Sequence, residues 1–113
     1  MIIDEIKIGD KVKVTQPYGG LPYIAEVVKI NKASFVVKYG RSTITFNANG
    51  RMRGADAWHA SYAYIATDDV VKKIEEQNLK RKYSRIIKDI DFEKVPIEDI
   101  ESVYEILKKY INK

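Results

Sequence analysis

The feature that most constrains this chain is the alternation in its first half. Four runs, KVKV from Lys11, YIAEVVKI from Tyr23, SFVVKY from Ser34 and TITF from Thr43, are rich in β-branched and aromatic residues. Gly, Pro and Asn separate them at intervals of about ten residues, the spacing of short antiparallel strands in a small barrel. Successive side chains of a strand point to opposite faces, so Val12 and Val14 alternating with Lys11 and Lys13 give one buried and one wetted face.

The spacing predicts strands over 10–15, 23–30, 34–39 and 43–46, with a fifth over 62–66 closing the barrel. Strict alternation breaks at Val27-Val28, which predicts a β-bulge. The segment QPYGGLP, with two prolines around a glycine pair, must turn rather than continue a ladder. Asn31-Lys32 reads as a turn, Gly40 ends the third strand, and Asn49-Gly50 is a hairpin signal. Residues 51–58 read as a loop, or as a strand interrupted at Gly54.

The pattern then changes period. Thr67 followed by Asp68-Asp69 offers a hydroxyl cap and two acids at the positive end of a helix dipole. Val71, Ile74, Leu79, Tyr83, Ile86, Ile87 and Ile90 recur at helical spacing, which predicts a helix over about 70–90. Pro96 disfavours helix at Val95 and suits the first turn of a second helix. Ile97, Ile100, Val103, Ile106 or Leu107, and Tyr110 form the apolar face of that helix. The expectation is an α+β chain with a five-stranded barrel over 1–66 and a two-helix hairpin over 67–113. The hairpin is expected either to pack on the barrel or to mediate self-association.

At 113 residues, 45% hydrophobic and 32% charged, the chain suits one soluble domain with an appendage. The absence of cysteine excludes disulfides, thiolate metal sites and cysteine nucleophiles, and fits a reducing cytoplasm. No apolar run reaches membrane-spanning length, and the N-terminus carries acids where a signal peptide is basic, so no membrane partner is expected. A net charge of +4 permits nucleic-acid contact without requiring it.

The matching residues GDKVKV, Gly19-Gly20, AEVVKI and SFVVKYG give the first half a resemblance to Src-homology-3-like small barrels, in particular those with a KOW-type motif. That pattern carries a glycine before the second-strand valine, where this chain has Ala25-Glu26. The resemblance implies a five-stranded Src-homology-3-like barrel and brings with it an RNA-binding or ribosomal role. Across most of its length the chain is similar to small β-barrel proteins encoded by bacteriophages, which share no common established activity. Asn49-Gly50-Arg51, Trp58-His59, Ala66-Thr67-Asp68-Asp69 and the ending DFEKVPIEDIESVYEIL carry that similarity. It implies a phage or prophage origin and a role in manipulating host machinery, in the host cytoplasm.

Arg51, Arg53, Trp58 and His59, with Lys38 and Arg41 near them, form the densest basic and aromatic cluster, and Tyr62 and Tyr64 share a strand face. Guanidinium groups could neutralise phosphates while an aromatic ring stacks on a base. The plainer alternative is a polar hairpin tip whose tryptophan turns inward to seal the barrel. Lys80-Arg81-Lys82, with Arg85 and Lys88, reads as the solvated face of the first helix or as a grip for an acidic partner. Leu79, Tyr83, Ile86, Ile90, Ile100, Val103 and Leu107 are the candidates for helix docking or self-association.

His59 is the only histidine, which excludes a multi-histidine metal site. Asp56 and Ser61 lie near it in sequence, but the members of a catalytic triad come from separate elements. No glycine-rich phosphate loop leads from a strand into a helix. No catalytic residue, metal or cofactor is expected. The leading expectation is therefore a non-enzymatic adaptor or inhibitor of a host protein, one that acts against bacterial defence among the options. A nucleic-acid-binding barrel is the alternative, and a nucleotide-binding scavenger the third.

Overall fold

The computed structural model describes residues 1–56 and 58–111; Ala57, inside the segment predicted as loop, lies outside them. The architecture is α+β, five antiparallel strands curled into a half-barrel and two C-terminal helices. The strands are β1 (Lys11–Thr15), β2 (Tyr23–Ile30), β3 (Ser34–Tyr39), β4 (Ser42–Asn47) and β5 (Tyr62–Ile65), in the spatial order β4-β3-β2-β1-β5. The helices are α1 (Asp68–Lys88) and α2 (Ile97–Leu107), with a 3-10 turn at Phe92–Lys94 between them. The chain divides into two compact units, Met1–Lys80 and Arg81–Lys113.

The first unit follows directly from the alternation. Val12 and Val14 of β1, Ala25 and Val27 of β2, Phe35 and Val37 of β3, Phe46 of β4 and Ala63 of β5 all turn into one core. Phe35 and Phe46 stack there with ring centroids 5.6 Å apart, a geometry that adds to the free energy of burying two aromatic side chains. The expected bulge is present, because the β2–β3 register shifts between Val27 and Lys29. One extra residue there bends β2 and helps the sheet to curl.

Closure depends on a segment that is not itself a strand. After the turn at Asn49-Gly50, Arg51 bridges to Tyr62 on β5 and Met52 bridges to Phe46 on β4. The Arg53 N–H donates to Thr45 O, and the Ala63 N–H donates to Gly50 O. Residues 50–53 thus join the two edge strands and satisfy backbone groups that an open edge would leave unpaired. Gly50 has φ +90°, and a Cβ there would stand 2.5 Å from the carbonyl oxygen of Ala63. Only glycine allows this approach.

The first half of α1 belongs to this unit. The Val70 N–H donates to the Thr67 hydroxyl at 3.3 Å, the predicted N-cap. Ile74 is buried, Asn78 Nδ2 donates to Pro22 O, and Lys11 Nζ lies 3.0 Å from Glu75 Oε1. These contacts place the helix against the outer face of β1 and the start of β2. The exposed ion pair adds little to the stability of that contact.

Among the described residues of the second unit, 81–94, 96–99 and 101–111 are exposed, and only Val95 and Ile100 are half-buried. Pro96 is the N-cap of α2, one residue before its first turn, and Glu98 and Asp99 supply acids at the positive end of the dipole.

Candidate functional site

Strand register brings three connections to one end of the half-barrel. Val14 pairs with Tyr23 and Thr15 with Tyr62, so residues 16–22 and the chain entering β5 leave from the same end. Lys38 pairs with both Glu26 and Thr43, which puts the Gly40-Arg41 turn there as well. Gly40, at φ +60°, takes the first central position of this two-residue connection, where a positive φ matches the twist of the strands.

The side chains of this loop end are aromatic and basic. Trp58 is 77% exposed and Tyr18 75% exposed. The Tyr18 and His59 rings meet edge to face with centroids 5.6 Å apart. Tyr39 lies against Tyr23 at 4.4 Å, and burial, with Tyr39 adding to it, pushes the Tyr23 phenol above its ordinary value. Lys38 and Arg41, at the same end of the half-barrel, are exposed.

One carboxylate fastens the loop that carries the tryptophan. Asp56 Oδ1 accepts the backbone N–H groups of Trp58 and His59, each at 3.0 Å, and lies 2.7 Å from His59 Nδ1. The side-chain bond from His59 is the largest influence holding Asp56 below the ordinary carboxylate range. The two backbone bonds and the nearby charge of Arg51 act in the same direction, against desolvation.

The candidates predicted from sequence separate on this framework. Trp58, His59 and Arg41 belong to the connections at the loop end, with Lys38 just inside it on β3, whereas the Arg53 side chain reaches back toward Asn47 at the far end of β4. The inward-facing alternative for Trp58 does not hold, because the indole projects into water. Arg51 is half-buried, and its Nη2 donates to Ala55 O at 3.0 Å, so it braces the loop from within. Arg53 Nε donates to Asn47 Oδ1 at 2.9 Å, which steadies an exposed guanidinium. Tyr62 is half-buried opposite Thr15, and Tyr64 is exposed opposite Lys13, both on one face of β5.

Of the helix candidates, Leu79, Tyr83, Ile86, Ile90, Val103 and Leu107 are exposed and Ile100 is half-buried. Sequence reasoning counts Tyr18 among five barrel tyrosines suited to an aromatic binding face without singling it out, although its place between Pro17 and a glycine pair marks an exposed turn. It also missed a groove of about 1040 Å³ beside α1, where acids such as Glu5, Asp68 and Glu76 stand with Lys11 and Lys72 around apolar side chains such as Ile65. No periodicity could have shown that groove, because its walls come from two segments far apart in sequence, 5–12 and 65–79.

Among the described residues, no three His, Cys, Asp or Glu side chains cluster as a metal site would require. None of the described helices is long and apolar enough to cross a membrane. Comparison with protein-family models, curated proteins and solved structures finds no match to this chain.

Proposed function

We propose that this chain is a non-enzymatic binding protein that docks a protein partner on its loop end, with Trp58 as the central anchor. The observation that carries the reading is the exposure of Trp58 on a loop fastened by Asp56. A large apolar ring held in water gains free energy when a partner covers it, and a loop already ordered loses little entropy on binding. Tryptophan, tyrosine and arginine, the residue types gathered here, are those enriched at the energetic centres of protein interfaces.

The barrel is read as Src-homology-3-like, because its strand order and its short closing segment suit that class. A phage origin, a host protein as the partner and action in the host cytoplasm follow from the sequence resemblance. The Asp56–His59 bond is read as a fastening of the loop rather than as half of a catalytic dyad.

Lys38 and Arg41, exposed at the same end of the half-barrel as Trp58, favour a second reading, a single-stranded nucleic acid with bases stacked on Trp58. Arg51 is turned inward, which leaves fewer cations to meet phosphates. Capture from bacterial lysate by the immobilised chain and by Trp58→Ala, together with titration of labelled single-stranded DNA and RNA at two salt concentrations, separates the readings. The protein reading expects a captured protein that Trp58→Ala binds at least about tenfold more weakly. Oligonucleotide binding that falls steeply with salt and is lost in a Lys38→Ala, Arg41→Ala double variant would replace it.

A further inference from the structure

The second unit carries an imbalance that a single chain does not resolve. None of the described residues from 81 to 111 is buried, although Tyr83, Ile86, Ile87, Ile90, Val103 and Leu107 are large and apolar. At 11 residues, α2 is shorter than the roughly 12–15 residues that make an isolated helix even marginal in water. Glu101 and Glu105, four apart on one face, also repel each other. Tertiary contacts must supply what local interactions do not.

Charge says what should cover these faces. Residues 80–88 hold Lys80, Arg81, Lys82, Arg85 and Lys88 with no acid, while α2 holds Glu98, Asp99, Glu101 and Glu105 with no base. On helical spacing, Lys82 flanks the Tyr83–Ile86–Ile90 stripe, and Glu101 flanks the Ile97–Ile100–Tyr104 stripe. Each stripe therefore has a basic or acidic margin that complements the other, the arrangement by which paired helices select partner and orientation.

We propose that a second copy of this chain covers these faces. The basic end of α1 in each copy lies along the acidic α2 of the other, and the four segments form one core. Such a contact is isologous: the same two surfaces meet twice about a two-fold axis, so the assembly closes at two chains. The apolar stripes provide the affinity, and the exposed charges, each worth little alone, set the pairing. This assignment is independent of what the loop end binds.

Size-exclusion chromatography with light scattering on the full chain, from micromolar to near-millimolar concentration, reads the outcome. The expected mass is twice the 13.0 kDa of one chain. A Lys82→Glu, Arg85→Glu variant and a Glu101→Lys, Glu105→Lys variant should each dimerise at least tenfold more weakly than the parent. An equimolar mixture of the two should recover a mixed dimer, because each reversed surface then meets its complement. A parent that stays monomeric, reversals that leave its dimer intact, or a mixture that does not associate would each overturn the proposal.

Discussion

Asp56 orders the turn that carries Trp58, because one of its oxygens meets two backbone N–H groups and the His59 ring together. Its folded-state pKa is depressed, so its contribution to loop order is complete at neutral pH. That contribution is lost only as pH falls through the depressed value, below the ordinary carboxylate range. The amide resonances of Trp58 and His59, followed by NMR, should stay flat through the ordinary carboxylate range and move only at lower pH. A transition of the Trp58 amide within that range would mean that these bonds do not hold in solution. Asp56→Ala should broaden both resonances and leave the thermal midpoint near that of the parent, since the residue is exposed.

At the scale of elements, the half-barrel is closed by the bridges of residues 50–53, and at Gly50 the Ala63 carbonyl leaves no room for a Cβ. Gly50→Ala meets both a positive φ and the Ala63 carbonyl, whereas Gly54→Ala, at φ +83°, meets no atom within 4 Å. In urea unfolding, Gly54→Ala should cost about 1–2 kcal/mol for its backbone conformation alone. Gly50→Ala should cost clearly more, because the β5 ladder has to shift. Equal costs would mean that the 50–53 segment yields freely.

The same scale shows which parts of the fold were legible in the sequence. Val12 and Val14, Phe35 and Val37, and Ile44 and Phe46 announce their strands through a period of two, and the doubled valine at 27–28 announces the bulge. Thr67 and Pro96 announce the two helix starts, because capping and ring geometry are local chemistry. The hairpin signal at Asn49-Gly50 and the alternative of a strand interrupted at Gly54 pointed to the pairing of residues 51–53, but its joining of the two edge strands was not legible, since each bridge is a single residue held by backbone bonds to distant strands. The orientation of Trp58 was equally hidden: one tryptophan has no periodicity, and its exposure is decided by how Asp56 fastens the turn. Arg51 and Arg53 look alike in sequence, yet one braces the loop from within and the other faces water.

At the scale of the whole molecule, apolar surface is divided unevenly. The first unit buries its stripe in a continuous core, while the second leaves its apolar faces open beside margins of opposite charge. Trp58 belongs to neither cluster, and it is the only tryptophan in the chain. The protein's intrinsic indole fluorescence therefore reports on one solvent-facing spot. Emission should already lie at the long-wavelength, water-exposed limit in the native state and should change little when the core melts. It should move to shorter wavelength when the loop end is covered. A large red shift on unfolding would place the indole in a dry environment. The molecule thus carries an optical probe that registers company and is nearly blind to its own folding.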